Sequence, residues 1–418
     1  MALNYIWLAF FLISFGIAFV QWIVTGDAQI FKTIVDGIFK SAGDSVDLSF
    51  KLIGIMTLFL GFMNIGEKAG AIRFLSRIVG PFFGRLFPEV PRQHPAMGHM
   101  MMNFSANLLG LDNAATPFGL KAMESLQELN PKKDTASDAQ IMFLVLHASG
   151  LTLIPVSIIA MRAAVKPPAA NPTDIFIPCM IATFAATVAA LVIVSVRQRI
   201  NLLRPVILGW ILGISAFIGG LIWYLKTFLD QPGIERFSSA LSNGLIILIF
   251  LAFLLGGLRK RVNVFEAFIE GAKGGFDVAI RIIPYLVAML VAISVLRNSG
   301  AFDMLIRGLS GVFSSLGMRT DFVDALPTAL MKPLSGSGSR AMMVDTMTRF
   351  GADSFAGRLS AVFQGSSDTT FYVVAVYFGS VAVKNTRYAI PSMLLADLVG
   401  IITAIGVAYL FFGSSLAA

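Results

Sequence analysis

Apolar stretches of about 20 residues, the length that crosses a hydrocarbon core, recur at Ile6–Val24, Ile141–Met161, Ile175–Val196, Pro205–Leu225 and Phe237–Leu258. Two more, Val46–Ile65 and Phe276–Leu296, have shorter apolar cores and open with Asp47/Lys51 and Asp277/Arg281. The last two, Ser360–Val383 and Tyr388–Phe412, are each interrupted by an aspartate, Asp368 and Asp397. The pattern predicts nine spanning helices. Between them Ile30–Ala42, Val262–Gly274, Ala69–Phe87 and Gly300–Gly317 are amphipathic and too polar to span, which predicts interfacial helices.

Two stretches fit neither class. Pro95–Leu129 and Pro327–Gly351 mix apolar residues with Ser, Asn, Gly and Pro. Each reads as about 10 helical residues, a polar break and a second short helix, and at ~1.5 Å per residue such pieces reach only halfway through a bilayer. Irregular backbone survives at that depth only where it is buried in protein or lines a wet cavity. Both are therefore expected to be re-entrant helical hairpins.

The chain also repeats itself. Residues 40–80 align with 270–310 without a gap, so that Asp47 falls on Asp277, Gly70 on Gly300 and Arg77 on Arg307. The same offset puts Ser105-Ala106-Asn107 on Ser335-Gly336-Ser337, and farther on Ser149 meets Ser366 and Thr152 meets Thr369. Five spans separate equivalent helices, and an odd number reverses orientation. The expected fold is an all-α integral membrane protein of about nine transmembrane helices in two inverted repeats, a pattern of secondary transporters. Residues 1–200 form the first module, 201–231 an extra linking helix, and 232–418 the second module.

Composition agrees. Of 418 residues, 56% are hydrophobic and 13% charged, against roughly 25% charged in soluble domains; the mean hydropathy is +0.79. Cys179 is the lone cysteine, which excludes an intrachain disulfide. The net charge of +8 is scattered over loops without a basic run, so it reads as membrane-flanking charge and not as a nucleic-acid footprint. The first apolar stretch lacks a basic leader and a cleavage site, and is expected to be a retained helix. Short loops with Lys132-Lys133, Arg197/Arg199/Arg204 and Arg259-Lys260-Arg261 tilt the expectation toward a cytoplasmic N-terminus.

The polar residues at the breaks carry the candidate chemistry. In the first hairpin these are Asn103, Ser105, Asn107, Asn113 and Thr116, and in the second Lys332, Ser335, Ser337, Ser339 and Arg340. Half-helix ends facing a cavity offer unpaired amides and partial charge, suited to a polar or anionic solute. A third cluster lies inside full spans: His147, Ser149 and Thr152 in the first copy, and Gln364, Ser366, Ser367, Asp368, Thr369 and Thr370 in the second. Simple interhelical hydrogen bonding by these hydroxyls is the alternative. An intramembrane carboxylate faces a partner, a cavity or an ion path. Asp368, flanked by four hydroxyls, is read as the ion-coupling residue, for a sodium ion or a proton. Asp397, among apolar neighbours, is read as a structural charge with Lys332; Arg340 and Lys332 are the expected partners of the two aspartates. His94 and His99, five apart without an acidic partner, do not make a metal site. His147 and Ser149 are two apart on one helix and cannot face each other as a hydrolytic pair. The Gly336–Ser339 run lacks the Gly-Lys-Ser/Thr ending of a nucleotide phosphate loop.

These motifs carry a resemblance that spans nearly the whole chain. The first half, through Gly66-Glu67-Lys68-Ala69-Gly70, Leu86-Phe87-Pro88-Glu89-Val90-Pro91, Asn103-Phe104-Ser105-Ala106-Asn107, Asn113-Ala114-Ala115-Thr116-Pro117 and Leu151-Thr152-Leu153-Ile154-Pro155, resembles the spore maturation protein A family. The second half, through Met331-Lys332-Pro333-Leu334-Ser335-Gly336-Ser337-Gly338, Thr369-Thr370-Phe371-Tyr372-Val373 and Leu395-Ala396-Asp397-Leu398, resembles the spore maturation protein B family. Both are similar to a larger group with a nucleoside-recognition or gate domain, akin to concentrative nucleoside transporters and the membrane part of bacterial ferrous-iron transporters. The chain departs from the pattern at His147 in place of asparagine, Arg340 in place of a small residue, and Asp368 in place of glutamate.

The resemblance implies a bacterial inner-membrane protein of transporter architecture. Taken with the breaks, the expectation is a secondary transporter of a small polar or anionic organic solute, nucleoside-like or carboxylate-like, that is not an enzyme and needs no cofactor beyond a coupling sodium ion or proton. The solute and the lipid bilayer are the expected partners, a homo-oligomer being common in such folds. The alternative is a non-transporting factor that assists envelope, peptidoglycan or spore maturation.

Overall fold

A computed structural model describes residues 2–110 and 112–413; the side chains of a few positions within that range, Asn113 and Arg281 among them, lie outside what is described. The described residues are helical, without a β-strand, and an isolated bridge joins Thr135 and Asn385. In chain order the helices are α1 (Ala2–Thr25), α2 (Gln29–Ala69), α3 (Ala71–Leu86), α4 (Pro95–Leu108), α5 (Asp112–Leu129), α6 (Asp138–Ala148), α7 (Val156–Ala164) and α8 (Phe176–Gln198). They continue as α9 (Pro205–Phe228), α10 (Gln231–Arg259), α11 (Val264–Asn298), α12 (Ala301–Ser315), α13 (Leu326–Met331), α14 (Gly336–Phe350), α15 (Phe355–Gly365), α16 (Thr370–Ser380) and α17 (Ala389–Phe412).

Among the described residues seven helices are long and apolar enough to cross a membrane: α1, α2, α8, α9, α10, α11 and α17. The other two predicted spans are each interrupted. Ile141–Met161 is divided into α6 and α7, and Ser360–Val383 into α15 and α16. Local chemistry starts both at the same point of the repeat. Ser137 and Gln140 form a capping box at α6, and Ser354 Oγ accepts from Gly357 N at 3.0 Å at α15.

Two expectations are corrected. Ile30–Ala42 and Val262–Gly274 are not separate interfacial helices; each runs without a break into the following span, making α2 41 and α11 35 residues long. Nothing between Gly43 and Val46 stops the first. In the second, Gly274-Gly275 marks a close approach: a Cβ on Gly275 would lie 2.5 Å from Thr57 Cα. The hairpin arms are also uneven, with 14 and 18 residues in α4 and α5 against 6 and 15 in α13 and α14. The separate amphipathic helices α3 and α12 do form, each opened by a glycine in the left-handed region, Gly70 (φ 88°) and Gly300 (φ 79°).

Helices α2 and α11 pack against each other along their length and run antiparallel. Gly37 lies against Asn298, Gly61 against Phe268, and Gly271 against Leu60 and Asn64, while Asn64 Nδ2 donates to Ala267 O at 2.6 Å. The broken helices also oppose each other. Asp138 at the start of α6 meets Arg387 Nη1 at 2.6 Å beside the start of α17. At the other end, Arg358 near the start of α15 meets Asp174 Oδ2 at 2.8 Å, just before α8.

Candidate functional site

The four breaks are laced together by backbone hydrogen bonds. Leu153 N donates to Leu108 O at 2.8 Å, which ties the α6–α7 break to the first hairpin. Phe371 N donates to Pro333 O at 3.0 Å, which does the same in the second copy. Asp368 N donates to Ala148 O at 2.6 Å and joins the two copies. Glycine is required where the first hairpin turns: Gly110 has φ 71°, and a Cβ there would sit 2.4 Å from Ile154 O.

Around these bonds lies a cavity of about 760 Å³, within the usual range for small-molecule sites, roughly 300–1,000 Å³. Residues of both hairpins and both broken helices line it. From the predicted set it gathers Asn107, Thr116, His147, Thr152, Lys332, Ser335, Ser337, Arg340, Gln364, Ser367, Asp368 and Thr369.

The remaining predicted residues stand elsewhere. Ser149 Oγ donates to Val145 O at 2.7 Å, Ser339 Oγ to Thr328 O at 2.9 Å and Ser366 Oγ to Phe363 O at 2.9 Å; each hydroxyl serves its neighbouring backbone behind the cavity wall. Ser105 Oγ lies 3.1 Å from Ser76 Oγ on α3. Thr370 Oγ1 donates to Asp397 Oδ2 at 2.7 Å, so both sit behind the wall. Asn103 does not line the cavity and bonds His147 instead. Asn113 lies outside the described side chains. The polar run from Asn103 to Asn107 is the last turns of α4, not an open break, and the Gly336–Arg340 run is the first turns of α14. The hydroxyl of Ser335 caps α14 by accepting from Gly338 N at 3.0 Å.

The expected partners of the aspartates are also revised. Asp368 is half-exposed to the cavity, and among the described residues its ion-pair partner is His147, whose Nε2 lies 3.9 Å from Oδ2, where Arg340 or Lys332 was expected. Its Oδ1 accepts from Thr369 N at 2.7 Å. Asp397 is buried, takes the Thr370 hydroxyl, and feels the charge of Lys332. Among the described residues Arg340 forms no ion pair, and its Nε is buried without an acceptor.

Several lining residues are not among the predicted site residues, although Phe371 and Tyr372 lie in a motif that carries the family resemblance. Val278, Ile282, Tyr285 and Leu286 come from α11, and Phe371, Tyr372 and Tyr377 from α16. Apolar and aromatic residues in an apolar helix look the same whether they meet lipid, core or cavity.

Two segments of the chain, 49–165 and 279–384, match the family described as "Gate: Nucleoside recognition". One falls in each predicted module and each contains one hairpin and one broken helix. Spore maturation protein B of Bacillus subtilis (strain 168) is 46% identical over 175 residues, which is 42% of this chain and 97% of that protein. Spore maturation protein A of the same organism is 40% identical over 162 residues, 39% of this chain and 82% of that protein. With all four breaks of these segments converging on one cavity, the chain belongs to the nucleoside-recognition gate family, as a multi-pass helical protein that combines relatives of spore maturation proteins A and B in one polypeptide.

Proposed function

We propose that the protein is a secondary transporter that moves a small polar or anionic organic solute across the bacterial inner membrane by alternating access, without enzymatic chemistry. One observation carries this reading: the tips of both hairpins and the breaks of both interrupted helices line the same cavity of about 760 Å³. Discontinuous helices around a midplane cavity at a repeat interface are the transporter arrangement. Arg340, which forms no ion pair among the described residues and keeps a buried Nε without an acceptor, and the amides opening α14 favour an anionic group on the solute, carboxylate-like or phosphate-like. The relatives' names also support a second reading, a membrane factor of spore maturation that transports nothing.

Proteoliposomes loaded with a panel of nucleosides and small carboxylates discriminate the two. Saturable exchange of at least one solute is expected, weakened roughly tenfold by Arg340→Ala, the loss of one charge-assisted contact. Folded protein that exchanges none of the panel would favour the maturation factor.

Alternating access of this kind uses modules of opposite orientation, which the antiparallel packing of α2 and α11 supports. Lys68 and Asn298 stand at the C-terminal ends of these helices. In a Cys179→Ala background, cysteines at these two positions are expected to be labelled from opposite sides of the membrane. Labelling of both from one side would sink the inverted arrangement.

A further inference from the structure

His147 and Asp368 meet at the junction of the two copies, and their contact is incomplete without a proton. The ring of His147 is held by asparagines of α4. Asn103 Nδ2 donates to Ala115 O at 2.7 Å, which settles which end of that amide is oxygen. Asn103 Oδ1 then faces His147 Nδ1 at 3.0 Å, so Nδ1 carries the hydrogen. The amide of Asn107 lies 2.7 Å from the same nitrogen, and a half-turn of that amide presents its oxygen to the shared hydrogen. In a neutral ring Nε2 is therefore a bare acceptor. It points at Asp368 Oδ2, 3.9 Å away, with only 4% of the histidine side chain exposed. Two acceptors at this separation repel unless one of them bears a proton.

Among the described residues, His147 meets Asn103 and Asn107 at Nδ1 and Asp368 at Nε2. Tyr377 from α16 packs edge-on against the ring at 4.8 Å, and its hydroxyl is bonded to Thr116 and Asn103. Lys332 and Arg340 reach the cavity from the second hairpin, and Asp397 of α17 stands behind Thr370. Beside the α6–α7 break, α8 contributes Thr187, whose hydroxyl donates to Ser149 O at 2.5 Å, and Thr183, whose hydroxyl donates to Cys179 O at 2.9 Å.

We infer that His147 Nε2 and Asp368 together form a proton-binding site open to the cavity, and that a proton and not sodium is the coupling ion of the transport cycle. The coupling role rests on the transport reading above. Loading forms an N–H bond at Nε2 and breaks an O–H bond of a hydronium ion in the cavity; release to water on the other side reverses this, and no electrons are transferred. Once the ring is protonated, 3.9 Å makes an ion pair and not yet a hydrogen bond. A relative shift of about 1 Å between the copies closes it, which links proton occupancy to the motion that alternating access needs. The sodium shell that the flanking hydroxyls promised is depleted. Ser366 donates to Phe363 O and Thr370 to Asp397 behind the wall, so two of the four hydroxyls that flank Asp368 do not reach the cavity.

The chain has three histidines, so ¹⁵N-imidazole spectra of the full chain in lipid nanodiscs are assignable by subtraction of a His147→Gln sample. The neutral ring is expected to carry its hydrogen on Nδ1 and to become doubly protonated on acidification. Asp368→Asn is expected to lower the doubly protonated fraction at fixed pH at least threefold or so, because an adjacent carboxylate favours the charged ring. Replacing sodium by choline should leave the fraction unchanged. A neutral ring protonated on Nε2, an unaltered fraction in Asp368→Asn, or displacement of the proton by sodium each overturns the site. These spectra require no solute, so the proton site and the transport reading fail separately. Solute accumulation driven by a sodium gradient alone overturns the coupling role.

Discussion

Asp368→Asn is expected to abolish accumulation of solute against its gradient in proteoliposomes, while thermal unfolding in detergent stays close to that of the parent protein. The carboxylate is half-exposed to the cavity, so its removal strands no buried charge of the kind that destabilises. Asparagine retains an oxygen to accept from Thr369 N, the bond that holds the break between α15 and α16. What it loses is the negative charge opposite His147 Nε2. Full proton-driven accumulation in the variant would remove Asp368 from the coupling step. A large fall in thermal stability would instead assign it a structural role.

Arg162→Ala should have the largest effect on stability, a loss of about 3–5 kcal/mol from stranding partners of a buried charge. The Arg162 side chain is fully buried and meets Asp174 Oδ1 at 2.8 Å and Asp353 Oδ1 at 3.3 Å. It also donates to Ala352 O at 2.7 Å and Pro172 O at 3.2 Å. Arg358 still neutralises Asp174 at 2.8 Å, which holds the cost toward the lower end of the range. The cluster binds the end of α7 and the approach to α8 in the first copy to the loop before α15 in the second. By contrast Lys166 and Asp47, 3.0 Å apart and more than half exposed, should cost under about 1 kcal/mol when either is truncated. Urea or thermal unfolding in one detergent compares the two; equal losses would mean that the Arg162 cluster holds nothing together.

Much of this protein is legible in the order of its residues. Runs of apolar residues define the spans because a lipid-facing helix must be apolar over a fixed length. The breaks are legible because Ser149 to Pro155 and Ser366 to Thr369 place polar residues and a proline where a continuous helix would place leucine. The repeat is legible because both copies keep a glycine at the α2–α3 and α11–α12 turns, where the left-handed backbone excludes most side chains. Hydropathy fails where a helix outlasts its apolar core. Residues 30–42 and 262–274 are polar enough to leave the membrane, yet nothing in them ends a helix, and α2 and α11 continue as one packed pair.

The division within the site follows the same physics. Residue type alone determined which segments carry polar groups into an apolar helix, and hence that these breaks are candidates for function. Which hydroxyl faces the cavity was decided by tertiary structure. Ser149, Ser339 and Ser366 bond to the backbone four, eleven and three residues earlier in the chain and do not line the cavity, while Ser335, Ser337 and Ser367 do line it. Serine serves either purpose equally well, so its identity holds no directional information. The pairing of His147 with Asp368 and the tautomer set by Asn103 likewise arise only on folding. They join residues 221 and 44 positions apart, and a contact across that distance depends on how two broken helices cross, which no local pattern encodes.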